Sequence, residues 1–267
     1  MKKFAVIGDP IEHSKSPDIF NYYFESKNID AKYYKHKLDD ISEIKKLMID
    51  NDYIGCNITS PFKESIIPYL DNIDEQSKII GSVNIVVNEN GRLCGYNTDI
   101  EAVYSSIFCK LLLHNINVRE SKISIIGLGG AGKSVAYIFR YFDAIILNRD
   151  FQKATTFINR LNVHNIYQDI LSIDAEHFEN IENVIKNSDV IIYTLPRNVK
   201  NIVNKEWLDS SKILFDANYD NITLKEMVEE SGCKYFDGKE WLIEQAYNSY
   251  LHFFGHYPEQ EIFGKNI

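Results

Sequence analysis

A glycine-rich loop near the middle of the chain limits the possible folds more than any other feature. The apolar run Ile123–Ile126 is followed at once by Gly-Leu-Gly-Gly-Ala-Gly-Lys-Ser, residues 127–134, and then by a segment with helical periodicity. Gly127, Gly129 and Gly132 fit the dinucleotide-binding pattern G-x-G-x-x-G, in which backbone N–H groups at a helix N-terminus contact a pyrophosphate. A strand, a glycine loop and a helix in this order are typical of an α/β fold with a parallel sheet.

The same loop also fits the P-loop pattern of nucleotide hydrolases, G-x-x-x-x-G-K-[ST], through Gly132, Lys133 and Ser134. Asp216, at the end of an apolar run, could then supply the aspartate that holds magnesium. We favour the dinucleotide interpretation because the glycines follow the strand directly. The next strand also ends at Asn148-Arg149, about 20 residues beyond Gly127, where a dinucleotide fold contacts ribose. A glycine turn without a ligand is the third possibility.

The pattern of apolar and helical segments predicts two α/β domains, the second a doubly wound Rossmann-type domain. The boundary is expected within the predicted helix 99–114. Asn90-Gly91 predicts a tight hairpin. The predicted strands are 4–8, 31–38, 53–59, 82–88, 92–96, 123–126, 144–147, 189–195 and 213–216, and further helices are predicted over 17–27, 40–50 and 239–254.

Composition restricts the class of partner. The chain has 38 acidic and 29 basic residues and a formal net charge of −9, which does not favour a nucleic-acid backbone or an anionic membrane as partner. Its four cysteines form no C-x-x-C pair, so we expect neither a disulfide scaffold nor a structural zinc site. The first apolar run, Phe4–Ile7, is too short for a signal peptide, and we therefore expect a cytoplasmic protein.

Three polar clusters lie beside predicted strand ends in the N-terminal part. Ser14 and Ser16 precede a helix and could bind a carboxylate, although Ser16 could simply cap that helix. Lys63 lies in a first helical turn, where a cation opposes the helix dipole, so it could be a proton donor rather than an ordinary exposed lysine. Asn84 follows a glycine turn, and Asp99 is either an N-cap or a partner of Lys63.

Together these clusters make the chain resemble the shikimate/quinate dehydrogenase family over almost its whole length. Eight pieces of the resemblance occur in the right order. They are Gly8-x-Pro10-Ile11-x-His13-Ser14-x-Ser16-Pro17, Asn57-Ile58-Thr59-x-Pro61-Phe62-Lys63-Glu64, Gly81-x-Val83-Asn84, Gly95-x-Asn97-Thr98-Asp99, Gly127-x-Gly129-Gly130, Asn148-Arg149, Asp216-x-x-Tyr219 and Gln245-Ala246. The chain departs from the family pattern at Phe20, Ile100, residues 193–196 and Asn221.

The resemblance implies an NADPH-linked reduction of 3-dehydroshikimate to shikimate in chorismate and aromatic amino-acid biosynthesis. It implies a substrate-binding catalytic domain over residues 1–100, an NADP-binding Rossmann domain over 101–237 and a C-terminal helix, 238–267, packing on the first domain. Lys63 and Asp99 would be the catalytic pair. Substrate would be bound by Ser14, Ser16, Thr59, Asn84, Tyr219 and Gln245. The cofactor would be bound by Gly127, Gly129, Gly130, Ala131, Asn148, Arg149, Lys153 and Gly238, with no metal and with the chain as a monomer or homodimer.

The choice of cofactor depends on the end of the second dinucleotide strand. Arg149, with Lys153 one helical turn further on, favours the 2′-phosphate of NADP. Asp150 would oppose it unless its carboxylate points outward or caps the following helix. The alternatives are an NAD-dependent quinate/shikimate dehydrogenase, a non-catalytic NADP-binding protein and a P-loop nucleotide hydrolase.

Overall fold

The computed structural model describes residues 1–165, 171–197 and 199–267. It divides into two compact units. Unit 1 contains Met1–Ala102 and Leu242–Ile267, and unit 2 contains Val103–Trp241. The first division lies within the segment where the sequence predicts the domain boundary, and the second lies three residues into the last helix, which begins at Lys239.

Unit 1 is built on a mixed sheet in the order β2-β1-β3-β5-β6-β4. Its strands are β1 Lys2–Gly8, β2 Ala31–Lys37, β3 Tyr53–Ile58, β4 Asn72–Ile73, β5 Ile85–Glu89 and β6 Arg92–Tyr96. Its helices are α1 Ser16–Ser26, α2 Ile44–Asp50, α3 Phe62–Ser65, α4 Glu75–Ile80, α5 Asp99–Val103, which crosses into unit 2, and α11 Lys239–Phe254, which begins in unit 2.

The strand directions place several loops at one edge of this sheet. β1 is parallel to β2 and β3, whereas β5 is antiparallel to both β3 and β6. The carboxyl ends of β1, β3 and β6 therefore lie at the same edge. The predicted hairpin is confirmed, because Asn90 and Gly91 join β5 to β6 with φ values of 56° and 87°.

Helix α11 packs against the sheet of unit 1 through aromatic side chains. A Cβ atom on Gly55 of β3 would lie 2.4 Å from the ring of Phe253, so only glycine leaves room for this contact. Phe253 also lies beside Phe4 and Phe20, with ring centroids 4.7 and 5.9 Å away. Phe20, where the family has histidine, is thus a buried member of an aromatic core.

Unit 2 has a parallel sheet in the order β12-β11-β10-β7-β8-β9, which is the strand order of a Rossmann fold. Its strands are β7 Ile123–Ile126, β8 Ala144–Asn148, β9 Ile173–His177, β10 Val190–Tyr193, β11 Ile213–Asp216 and β12 Lys234–Phe236. Its helices are α6 Cys109–Leu113, α7 Gly130–Ile138, α8 Phe151–Val163, α9 Ile181–Lys186 and α10 Ile222–Glu230, with a π-helical turn at Tyr104–Phe108. These two units confirm the predicted α/β fold class.

The remaining regular segments are short. Single 3₁₀ turns occur at Ile41–Glu43, Ile67–Tyr69, Phe178–Asn180 and Lys205–Trp207. Within the described ranges, no helix has both the length and the apolar character needed to cross a membrane.

Candidate active site

Lys63 and Asp99 form an ion pair in unit 1. Lys63 lies in α3, just after β3, and Asp99 begins α5, just after β6. Their Nζ and Oδ2 atoms are 2.5 Å apart, and the two side chains are 16% and 1% exposed. The backbone N–H of Asp99 donates to the side-chain oxygen of Asn97 at 2.9 Å, which holds the start of α5 in place. The nearly buried pair can exchange a proton with a ligand on its exposed side.

A hydrogen-bonded cluster of Asn84, Thr98 and Gln245 includes the residue that directly precedes Asp99. Asn84 accepts a hydrogen bond from the backbone N–H of Thr98 at 2.8 Å and donates one to the Thr98 hydroxyl at 3.1 Å. Its amide nitrogen also lies 3.5 Å from Oε1 of Gln245 in α11. Because Thr98 directly precedes Asp99, this arrangement ties two predicted substrate residues to the acidic member of the ion pair.

Ser14 and Ser16 lie next to each other at the start of α1, and their hydroxyl oxygens are 3.4 Å apart. Helix α1 begins at Ser16, and the preceding residue, Lys15, makes no side-chain cap. The interpretation of Ser16 as an N-cap is therefore wrong. Both serines are less than 10% exposed, and they follow β1 at the sheet edge shared with Thr59, which follows β3. A backbone hydrogen bond joins the loops after β1 and β3, from the Asp9 N–H to the Ser60 carbonyl at 3.2 Å.

Two glycines of the loop in unit 2 have a structural reason, and a third leaves open space beside it. Gly127 has a φ of 97°, which other residues rarely adopt. A Cβ on Gly132 would lie 2.2 Å from the carbonyl oxygen of Gly127. By contrast, a Cβ on Gly129 would meet no atom of the described residues within 4 Å. The loop packs tightly on one side and leaves open space at Gly129, directly before the first turn of α7 with Gly130 and Ala131.

The loop after β8 supports the glycine loop through Asn148. Its side-chain oxygen accepts from the Leu128 N–H at 3.2 Å, and its amide nitrogen donates to the Asp150 carbonyl at 2.9 Å. The Asp150 carboxylate accepts from the backbone N–H of Lys153 at 2.9 Å and so caps α8, as expected. Arg149, between them, is exposed.

The loop after β11 is held by the buried carboxylate of Asp216. Its oxygens accept hydrogen bonds from the side chains of Asn218 and Asn221 at 2.8 and 2.9 Å, and from the Tyr235 hydroxyl at 3.2 Å. Burial raises the pKa of Asp216 even though these bonds act in the opposite direction. Asn221 also accepts from the Leu224 N–H and so caps the start of α10, a role of its own where the family has proline.

Two further predicted site residues lie in unit 2, Tyr219 in this loop and Gly238 directly after β12 and Asp237. The ring of Tyr219 lies under the guanidinium of Arg197, which is 4.3 Å from the ring centroid. The Gly238 N–H donates to the Asn218 carbonyl at 2.9 Å, and a Cβ on Gly238 would lie 2.3 Å from the Ala217 carbonyl oxygen. Asn218 further donates to the Leu195 carbonyl at 3.1 Å, which joins the loops after β10 and β11.

The P-loop interpretation does not fit this geometry. Lys133 is 6% exposed, and its ammonium group lies 5.9 Å from the centroid of the Phe157 ring. The Ser134 hydroxyl donates back to the Gly130 carbonyl at 3.3 Å. Asp216 is 2% exposed and already accepts the hydrogen bonds described above. These three residues are therefore occupied within unit 2 rather than directed at a nucleotide phosphate and its metal.

Three supporting residues were not among the predicted site residues. Asn57 and Thr98 occur in the motifs that carry the resemblance, so their positions were a usable signal. Ser249 had no such signal. It lies in α11 and its hydroxyl accepts a hydrogen bond from Asn57 across 192 positions of sequence, a contact that only the tertiary fold creates.

Each of the two units contains a segment that matches a known family model. Residues 6–86 match the family model of the shikimate dehydrogenase substrate binding domain, and residues 110–218 match that of shikimate / quinate 5-dehydrogenase. The chain is 33% identical to the NADP(+) shikimate dehydrogenase of Pyrococcus furiosus, with 93% of this chain and 89% of that protein covered. It is also 33% identical to the corresponding Bacillus subtilis enzyme, with coverages of 98% and 95%.

A solved structure agrees with these sequence relatives. The shikimate dehydrogenase of Aquifex aeolicus is 28% identical and has a TM-score of 0.82, with 100% of this chain and 97% of that chain covered. The expected resemblance is thereby confirmed at the level of sequence and of fold. The chain belongs to the shikimate/quinate dehydrogenase family.

Proposed function

We propose that this protein is an NADP-dependent shikimate dehydrogenase that reduces 3-dehydroshikimate reversibly to shikimate. The observation that carries the proposal is the nearly buried Lys63–Asp99 ion pair, with its 2.5 Å separation, in a chain of this family. The relatives described above carry this activity in their names. The product would serve chorismate and aromatic amino-acid biosynthesis.

Lys63 supplies the proton in this proposal. Reduction of a ketone adds a hydride to its carbon and a proton to its oxygen, and the ammonium group of Lys63 donates that proton while its charge stabilises the developing alkoxide. Asp99 accepts a hydrogen bond from Lys63 and so orients the ammonium group. In the direction of oxidation, neutral Lys63 accepts the hydroxyl proton. The step uses a hydride and a proton, and we assign no metal to it.

The neighbouring polar residues bind the substrate. Ser14 and Ser16 hold its carboxylate with two hydroxyls at the start of α1, where the helix dipole favours an anion. Thr59, Asn84 and Gln245 contact the ring hydroxyls. We assign Tyr219, in unit 2, to the substrate carboxylate by its family position alone.

The glycine loop fits a dinucleotide, which would supply the hydride when bound. The open space at Gly129 leaves room for a pyrophosphate beside the N–H groups of Gly130 and Ala131 at the start of α7. Arg149 and Lys153 favour the 2′-phosphate of NADP, and Asp150 is used in capping α8. Asn148 and Gly238 shape the surrounding loops. We also propose that the enzyme is cytoplasmic and that it is a monomer or a homodimer.

The two glycines of the loop should respond differently to alanine. Gly129→Ala should leave thermal unfolding unchanged, because its φ of −77° suits any residue and its Cβ meets open space. It should weaken NADP binding about tenfold by filling the phosphate site, a loss of about 1.4 kcal/mol. Gly132→Ala should instead lower the unfolding temperature, because its Cβ would overlap a backbone oxygen. Titration of nucleotide binding together with thermal unfolding checks both, and unchanged NADP affinity in Gly129→Ala would contradict the assignment.

The proposed function is tested by following cofactor reduction at a wavelength where NADPH and NADH absorb and their oxidised forms do not. Shikimate and quinate are supplied separately, each with NADP and with NAD. We expect the highest kcat/KM with shikimate and NADP. Preferential turnover of quinate with NAD would favour the other activity that the family model names, and the absence of any turnover would reject the proposal.

A further inference from the structure

A chain of buried hydrogen bonds runs beneath the proposed contacts to the ring hydroxyls. The Tyr33 hydroxyl, in β2, donates to Oδ1 of Asn57 in β3 at 2.6 Å. Asn57 donates through Nδ2 to the hydroxyl of Ser249 in α11 at 2.8 Å. Ser249 in turn donates to the backbone carbonyl of Gln245 at 2.7 Å. The chain thus links two strands to the helix that carries Gln245.

The backbone carbonyl of Asn84, which can only accept a hydrogen bond, determines the direction of these hydrogen bonds. Nδ2 of Asn57 also lies 3.4 Å from the backbone carbonyl oxygen of Asn84, so the amide nitrogen must be on that side. The amide oxygen then faces Tyr33, whose hydroxyl must donate. Complete burial raises the pKa of Tyr33 well above its usual value, and the hydroxyl keeps its proton at any physiological pH.

Two members of this chain contact residues assigned to the substrate. Asn57, in the middle of the chain, contacts the backbone of Asn84. Ser249 bonds to the backbone of Gln245, and Thr98 reinforces it through hydroxyl contacts to Ser249 at 3.3 Å and to the Gln245 carbonyl at 3.2 Å. Tyr33 and Ser249 are themselves 1% and 0% exposed, so they would act without touching the substrate.

We infer that Tyr33 and Ser249 are positioning residues that set where Asn84 and Gln245 present their amide groups to the substrate ring hydroxyls. The inference rests on the proposed function. A misplaced amide weakens a hydrogen bond to a substrate hydroxyl, while the Lys63–Asp99 pair that moves the proton keeps its own hydrogen bond. Loss of this positioning should therefore raise KM for shikimate more than it lowers kcat.

Tyr33→Phe tests the inference, because phenylalanine keeps the stacked contact with Phe20, whose ring centroid is 4.4 Å away, and removes only the hydroxyl. We expect KM for shikimate to rise about tenfold, as for loss of a hydrogen bond, with kcat within about twofold and KM for NADP unchanged. Tyr23→Phe is the matched control. Tyr23 is 4% exposed in the same aromatic core, but its hydroxyl accepts a hydrogen bond from the backbone N–H of Glu259 at 2.9 Å. Glu259 is not assigned to the substrate, so KM should not change.

Ser249→Ala provides a second route if Tyr33→Phe does not fold. It should raise KM for shikimate similarly, and this effect should disappear in a Gln245→Ala background, because Ser249 acts through Gln245. Three results would each overturn the inference and leave the proposed function intact. They are an unchanged KM in the folded variants, a rise in KM equal to that of Tyr23→Phe, and full additivity of Ser249→Ala with Gln245→Ala. A wild-type enzyme that does not oxidise shikimate would overturn the proposed function and the inference with it.

Discussion

Replacing Lys63 with alanine is expected to lower kcat by about 100-fold or more, the contribution of a positioned acid–base group. The ammonium group both donates the proton and stabilises the alkoxide, so its loss affects the transition state more than the bound substrate. KM for shikimate should therefore change much less than kcat. Steady-state kinetics in both directions, at saturating NADP or NADPH, measures the two parameters separately.

A matched control separates this effect from a general change of charge. Lys78, on the exposed side of α4 with its side chain 54% exposed, forms a surface ion pair with Glu75. Lys78→Ala should leave kcat unchanged, because such exposed pairs contribute little even to stability. If Lys63→Ala keeps near-normal turnover, Lys63 is not the proton donor. If both variants lose activity equally, the loss has a cause other than catalysis.

Replacing Arg149 with alanine is expected to weaken NADP binding by about 1.5–3 kcal/mol, the value for a hydrogen bond to a charged group. That loss corresponds to a rise in Kd of about 10- to 150-fold. NAD affinity should barely change, because NAD lacks the 2′-phosphate that the guanidinium would bind. Parallel titrations of the variant with NADP and NAD measure the two affinities.

Arg160 offers the control for this variant. It is exposed on α8, the helix that follows Arg149. Arg160→Ala removes the same charge, so an equal loss of NADP affinity in both variants would indicate a long-range electrostatic effect instead of a direct contact. A wild-type enzyme that uses NAD better than NADP at equal concentrations would contradict the assignment of Arg149.

Much of the fold was predictable because its strands are locally distinctive. β7, β11 and α11 have the predicted bounds. Gly255 directly follows α11 with a φ of 77°, the left-handed conformation that commonly ends a helix. The strands β9 and β12 were not predicted. Both lie at the edges of the sheet, and only Ile173 of β9 is buried, so their sequences lack the apolar run of a central strand.

The candidate site was only partly predictable. Its residue types were visible as polar clusters after strands, but each cluster had an ordinary structural explanation. The geometry removed one of these explanations for Ser16, because α1 has no side-chain cap. It also showed that the Asp150 carboxylate caps α8, one of the two alternatives expected from the sequence.

The sequence by itself determined the Rossmann-type unit, the glycine loop and the family, because each depends on residues close together in the chain. Only the tertiary structure decided which distant groups meet. The Lys63–Asp99 pair spans 36 positions, and the Asn57–Ser249 contact spans 192. Local periodicity carries no information on such contacts, since they arise when β3, β6 and α11 bury their apolar faces together and the polar groups brought inside must find hydrogen-bond partners.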